Sequence, residues 1–161
     1  MLITLTQNKF AVIDDTDRDL SMFKWYAEKT AKGDWYAARK PNEHVYLHRS
    51  IMERILERVL DRSEIVDHID NNGLNNLRNN LRIATHEQNL HNGRKHRDGS
   101  SQYKGVRWHT RDNRWEARIK NTFIGYFDSE EKAALAYDKK AVELFGEFSY
   151  LNFPEHSDYE C

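Results

Sequence analysis

The sequence predicts an α+β fold made of two small domains. Short segments of alternating polarity, which are typical of strands, occur in both halves of the chain, and a segment with helical spacing follows each group. Between the groups, residues 92–101 contain two glycines, two serines and no aliphatic or aromatic side chain, which indicates a linker. A chain of 161 residues therefore divides into domains at 1–91 and 102–154, with a tail at 155–161.

The first domain is expected to begin with a small sheet. Residues 2–5 and 10–13 are short strand candidates, an aromatic-rich stretch at 23–36 continues the sheet, and 45–47 is a further strand. Residues 49–60 place apolar side chains at helical spacing. We expect this helix to pack on the sheet.

Residues 64–91 predict a strand, an asparagine-rich loop, a second strand and a helix that begins near His86. If the first strand ends near His68, Asp67 and Asn89 face each other across strand and helix. Both offer oxygen ligands, which suit Mg²⁺ or Mn²⁺ rather than zinc. Asp67 is the obvious carboxylate, which favours one metal ion, and Asp70 is the residue that would supply a second.

Next to these ligands, His68 is a candidate general base. A neutral imidazole accepts a proton from water near physiological pH. The Asn80 side-chain amide can either tie down the loop or orient the imidazole. Single Asp–His pairs and asparagine loops are ordinarily turn chemistry, so the prediction depends on their joint spacing. The other histidines are expected to be structural or exposed, with His48 and His86 the least certain of them.

The second domain is expected to contain three strands and one helix. The strands are predicted around residues 103–109, 114–120 and 122–127, and the helix over 129–145. Asp128 with Glu131 has the pattern of a helix-capping pair, and Gly146 suits the position after the last turn. This pattern predicts a three-stranded antiparallel sheet with one helix packed across it.

The charge of the chain is unevenly distributed. The net charge is −1, yet residues 92–128 hold nine Lys or Arg against four Asp or Glu. Alternation along residues 114–120 places Arg114, Glu116 and Arg118 on one face of the sheet, and Lys104, Arg107, His109 and Arg111 extend that face. A narrow basic sheet fits the DNA major groove, where arginine binds guanine O6 and N7.

Residues 64–91 resemble the ββα-metal motif of HNH endonucleases, in particular the His-Asn-Asn type of phage and bacterial homing enzymes. The resemblance is carried by Val66–Asp70, Asn80–Thr85 and Asn89, with residues 47–52 similar to the preceding segment of the family. It implies His68 and Asn80 as catalytic positions and Asp67 and Asn89 as metal ligands. The implied activity is metal-dependent hydrolysis of DNA phosphodiesters.

The second domain resembles the AP2/ERF DNA-binding domain. The resemblance is carried by residues 103–107, 114–119, 125–127, 133–138 and 151–153. It implies DNA contacts from the sheet by positions matching Lys104, Gly105, Arg107, His109, Arg118 and Phe123. Lys104 and His109 stand where arginine is usual and Phe123 where tryptophan is usual, so the base preference of the family is not carried over.

Together these features predict a homing-type endonuclease that acts on double-stranded DNA and needs no obligate protein partner. Two alternatives are a DNA-binding regulator with an inactive nuclease unit and a nonspecific or restriction nuclease. The sequence has no membrane-length apolar run, and residues 1–6 lack the basic flank and long apolar region of a signal peptide, so we do not expect secretion. The single cysteine, Cys161, excludes a multi-cysteine zinc site. We therefore expect a cytoplasmic protein that associates with the host nucleoid.

Overall fold

A computed structural model of the chain describes residues 1–40, 43–93 and 99–156, the side chain of His156 excepted. The described chain is mixed α+β and separates into two compact units, Met1–His86 and Glu87–Cys161. The sequence places the division five residues later, after position 91. The middle of the predicted linker, 94–98, and residues 157–161 of the predicted tail lie outside the described residues.

The first unit opens with two three-stranded sheets. Strand β1 (Leu2–Thr4) pairs antiparallel with β2 (Phe10–Ile13), and β3 (Tyr26–Lys29), β4 (Trp35–Arg39) and β5 (Val45–Tyr46) form an antiparallel meander. Helix α1 (Leu47–Leu56) follows β5 directly. The helix begins two residues earlier than expected. It also ends four residues earlier than expected, because Glu57 adopts a left-handed conformation with φ of 53°.

The rest of this unit contains the asparagine-rich segment. Strand β6 (Ile65–His68) pairs antiparallel with β8 (Leu81–Ala84), and the short β7 (Asn75–Asn76) between them pairs parallel with β2. The sequence predicts only a loop at β7. Val66 and Leu81 pack into a hydrophobic core that also contains Leu47, Ile51 and Ile13, so the core fixes the β6–β8 hairpin against α1 and the first sheet.

Helix α2 (His86–Asn92) spans the division between the units, and its start at His86 is the predicted one. In the second unit, β9 (Val106–His109), β10 (Arg114–Ile119) and β11 (Thr122–Phe127) form an antiparallel sheet in the order β11-β10-β9. Residues 103–105 precede the first of these strands instead of belonging to it. The predicted three-stranded sheet is confirmed, with β10 in the centre.

Helix α3 (Glu130–Phe145) packs across one face of this sheet through alanines 133, 134 and 141, which allow a close approach. The predicted cap at Asp128 is wrong: the Ser129 side chain accepts a hydrogen bond from the Lys132 amide at 3.2 Å. Gly146, with φ of 53°, ends the helix as expected. Among the helices of the described ranges, none is long and apolar enough to cross a membrane.

Candidate functional site

Asp67 and His68 occupy the end of β6, and both side chains are 5% exposed. The antiparallel register places Asp67 opposite Arg82 and His68 opposite Leu81. The Arg82 guanidinium donates to Asp67 Oδ2 from Nε at 2.9 Å and from Nη2 at 2.8 Å. The carboxylate beside the histidine is therefore held by a nearly buried ion pair across the two strands.

The His68 imidazole is enclosed by an amide and two rings. Its Nε2 lies 3.4 Å from Asn76 Oδ1, and Tyr36 and His48 lie with their ring centroids 5.7 Å and 5.1 Å away. Burial lowers the pKa of His68 below its ordinary value, although contact with Asn76 and the charges of Asp70 and Asp67 oppose the shift. The lowered pKa favours the neutral imidazole that a general base requires.

His48, at the beginning of α1, packs against the His68 ring. Its ring stacks on Tyr46 at 5.2 Å and meets His68 edge-on. Burial lowers the pKa of His48 well below its ordinary value, and the nearby His68 and Arg49 lower it further. Its Nδ1 is buried and has no hydrogen-bond partner among the described residues. The structure thus brings a second neutral imidazole against the predicted base.

In the asparagine-rich loop, side-chain hydrogen bonds supplement those of the main chain. Asp70 Oδ1 accepts from the Asn72 amide at 2.8 Å, and Asn72 Oδ1 accepts from the Leu74 amide at 3.2 Å. Asn80 Oδ1 accepts from the Asp70 amide, and Asn80 Nδ2 donates to Asp70 Oδ1 and to the Asn75 carbonyl. These contacts anchor the loop, whereas Asn76 is the amide that contacts the imidazole. Asp70 uses its carboxylate in the same loop network.

Two further features hold this loop in place. The fully buried Asp17 carboxylate accepts hydrogen bonds from Arg78 Nε at 2.8 Å and Nη2 at 2.9 Å. The main-chain amide of Arg78 donates to the Asp14 carboxylate at 2.6 Å. Gly73 lies so close to the Trp35 carbonyl that a Cβ there would be 2.4 Å from the oxygen. Only glycine fits this approach, which also places the loop against Tyr36.

The second predicted metal ligand, Asn89, lies in α2 and is half-buried. Because α2 from Glu87 onward belongs to the second unit, its proximity to Asp67 stays a prediction. Within the described ranges, no three His, Cys, Asp or Glu side chains form a metal-binding group. The predicted ligand pair, Asp67 and Asn89, is not a group of this kind, because Asn89 offers an amide oxygen.

In the second unit, the sheet face opposite α3 carries a cluster of polar and aromatic side chains. We call this the outer face and define it by Arg107, His109, Glu116, Arg118, Phe123 and Tyr126. The Glu116 side chain is 1% exposed, yet Arg107 and Arg118 beside it are 59% and 46% exposed. Arg107 donates to Glu116 Oε2 from Nε at 3.0 Å and Nη2 at 2.9 Å, and Arg118 Nε donates to Oε1.

These contacts keep Glu116 charged. Burial by itself raises the pKa of Glu116, but the hydrogen bonds and charges of Arg118 and Arg107 outweigh it and lower the pKa below its usual value. The Arg118 guanidinium also lies 5.6 Å from the Phe123 ring, which packs edge-on against Tyr126. The predicted residues Arg107, Arg118 and Phe123 are therefore brought together on one surface.

The remaining predicted DNA-binding residues are arranged differently. Lys104 Nζ donates to the carbonyls of His91 and Gly93, and its burial lowers the pKa to about 8. Gly105 has φ of 75°, and a Cβ at this position would lie 2.0 Å from the Tyr137 ring. Glycine is therefore needed here for the close approach to Tyr137. His109 Nδ1 lies 3.2 Å from Asp112, Arg114 pairs with Asp128 at 3.1 Å, and Arg111 is exposed in the β9–β10 turn.

Sequence reasoning missed several residues that the structure places at these sites. Asn76 and Tyr36 gave no signal, because both are separated from His68 along the chain and meet it only through tertiary packing. Arg82 did give a signal, since antiparallel pairing of the two predicted strands places it opposite Asp67.

Comparison with known proteins agrees with this organisation. The chain is 39% identical over 136 residues to an uncharacterized HNH endonuclease of Acanthamoeba polyphaga mimivirus, a match covering 83% of this chain and 68% of the viral protein. It is 43% identical over 68 residues, or 40% of this chain, to APETALA2-like protein 2 of Oryza sativa and to an AP2-like ethylene-responsive transcription factor of Arabidopsis thaliana. The aligned segment covers only 15% and 14% of these plant proteins.

No family model matches the chain. No solved structure matches it either. The family assignment therefore depends on the viral relative, whose similarity extends over most of both chains. The chain belongs to the HNH endonucleases and combines the HNH region with an AP2-like domain.

Proposed function

We propose that the protein is a site-directed DNA endonuclease of the homing type, in which the first unit cuts DNA and the AP2-like domain selects the site. The observation that carries the proposal is the buried His68 next to Asp67 at the end of β6. The order β6, β8, α2 is the strand, strand and helix order of a ββα-metal motif. Both features occur in a chain whose viral relative is called an HNH endonuclease.

In the proposed reaction, His68 accepts a proton from the water that attacks phosphorus. An amide oxygen can only accept a hydrogen bond, so the proposed tautomer carries its proton on Nε2, towards Asn76 Oδ1. Nδ1 is then the nitrogen that takes the proton of the water. His48 and Tyr36 restrict the ring to one orientation, and Asn80 holds the adjoining loop.

The donor chemistry of Asp67 and Asn89 fits one Mg²⁺ or Mn²⁺ ion, because both offer hard oxygen atoms. When bound, the ion supplies charge stabilisation for the phosphorane and the leaving oxygen. Arg82 already balances the Asp67 charge, so we expect Asp67 and Asn89 to bind the ion weakly until a DNA phosphate adds further negative charge.

The outer face is proposed to position the enzyme on duplex DNA. Its arginines lie on the edge strand β9 and on the central strand β10, which pair with each other. A two-stranded β-ribbon fits the DNA major groove. Phosphate hydrolysis itself carries little sequence information. Tethering the cleaving unit to this face would raise its local concentration at the chosen site.

The test is cleavage of supercoiled plasmids that carry candidate insertion sites, with the full chain and Mg²⁺ or Mn²⁺. Discrete relaxed or linear product from wild type supports the proposal, and its loss in His68→Ala assigns the base. His44→Ala is the matched control, because His44 is a partly exposed histidine of the same unit that contacts Glu28 and Tyr46. DNA binding without product would indicate the inactive regulator, and fragments without preferred ends would indicate a nonspecific nuclease.

A further inference from the structure

Glu116 is a buried negative charge on the surface that is proposed to meet DNA. Its side chain is 1% exposed, and all the hydrogen bonds that it accepts in the described structure come from Arg107 and Arg118. A carboxylate in this position repels phosphate and lowers the net attraction of the face for any duplex. Affinity for DNA therefore does not explain its presence.

The two arginines are held in different ways. Glu116 engages Nε and Nη2 of Arg107, but only Nε of Arg118. In the described structure neither Nη group of Arg118 is hydrogen-bonded to the carboxylate, and the Phe123 ring lies 5.6 Å from the guanidinium. Two parallel N–H donors are what guanine O6 and N7 accept, so Arg118 is organised for a bidentate base contact before DNA arrives.

We propose that Glu116 is a positioning residue for sequence specificity, which orients Arg118, and with it Arg107, towards base edges rather than phosphates. The inference rests on the proposed function of the outer face as a DNA-binding surface. Without the carboxylate, both long side chains are free to turn to the nearest phosphates, which carry no sequence information. Glu116 thus weakens binding to all DNA and improves discrimination between sites.

The experiment compares the full-length wild type with Glu116→Gln, which keeps the size of the side chain but removes its charge. Each protein is used to select duplexes from a random-sequence pool, and the dissociation constants for the pool and for the enriched duplex are measured at several salt concentrations. Glu143→Gln is the matched control, because Glu143 is an exposed glutamate of α3 that pairs with Lys140. Thermal unfolding verifies that each variant is folded.

We expect Glu116→Gln to bind the unselected pool more tightly, with a salt slope steeper by up to about one phosphate contact. Its preference for the enriched duplex should fall about tenfold at the base pair that Arg118 reads. Arg118→Lys, which keeps the charge but loses the paired donors, should lose the preference at the same base pair. This second variant leaves Glu116 in place and so does not depend on how Gln is accommodated.

The inference would be overturned if Glu116→Gln weakened binding to the pool and to the enriched duplex equally. It would also be overturned if either variant selected the same sequence motif as wild type. Both results would leave the outer face as a DNA-binding surface. If wild type selects no motif at all, targeting by the outer face is wrong and the role of Glu116 is wrong with it. The behaviour of wild type therefore distinguishes the two failures.

Discussion

Asp67 and Arg82 are cross-strand partners whose side chains are 5% and 11% exposed, and they meet at 2.8 Å beside the proposed base. Loss of one partner from such a nearly buried pair is strongly destabilising, because the other charge stays desolvated. The carboxylate that is proposed to bind a metal is therefore also part of the folded scaffold.

The first prediction separates these two roles of Asp67. Asp67→Ala should abolish cleavage and lower the free energy of unfolding by about 3 kcal/mol, since Arg82 loses its buried partner. Asp67→Ala with Arg82→Met should recover most of the stability in urea unfolding, yet remain inactive with Mg²⁺ or Mn²⁺. A double variant that is stable and cuts DNA normally would remove Asp67 from the metal site.

His68 is the subject of the second prediction. His68→Ala should reduce single-turnover cleavage by about two to four orders of magnitude, while DNA affinity stays within a few-fold. Because burial lowers the pKa of His68, the wild-type rate should rise with pH in the acidic range and be level by neutrality. A rate that still rises steeply above pH 7 would point to a different proton acceptor.

The third prediction concerns His48 and acid stability. Burial keeps the pKa of His48 well below 6.5 in the folded state, so below pH 6.5 the unfolded chain binds a proton that the folded chain does not. Stability should fall as the pH falls through this range, by up to about 1.4 kcal/mol per pH unit for one proton. His48→Phe should flatten the pH dependence seen in urea unfolding between pH 7.5 and 4.5. An unchanged slope would show that His48 is accessible to protons in the folded protein.

The fourth prediction tests targeting by the outer face. Replacing Arg107 and Arg118 by Ala leaves the Glu116 carboxylate buried without its partners, so Glu116→Gln is included in the variant. The triple variant should bind duplex DNA with a shallower salt slope, by up to about one phosphate contact for each arginine that binds the backbone. It should still cut at high enzyme and low salt, with relaxed site preference, when cleavage is mapped along a long duplex. An unchanged map and slope would place targeting in the first unit.

Local sequence signals predicted most of the strands and the C-terminal end of α3, because alternation, turn residues and Gly146 act within a few residues. They failed where neighbouring residues compete for one role. Ser129 rather than Asp128 caps α3, and residue 47 begins α1 instead of ending β5. Either choice fits the local pattern, and tertiary packing decides between them.

The predicted site residues show the same limit. The Asp67–His68 pair was visible in the sequence, but the ion pair with Arg82 and the contact with Asn76 require the register of β8 and β7. Lys104 carries the charge expected of a DNA contact, yet its ammonium donates to the carbonyls of His91, in the last turn of α2, and of Gly93. Charge predicts attraction to DNA, while the direction of a side chain depends on its neighbours.

The parallel pairing of β2 with β7 and the Asp17–Arg78 ion pair join positions about sixty residues apart. Such contacts close a long loop of chain, and their formation costs conformational entropy. During synthesis, the loop beside His68 remains incomplete until the chain beyond Asn80 has left the ribosome. The enzyme therefore acquires its proposed cleavage centre only after most of the first unit has been made.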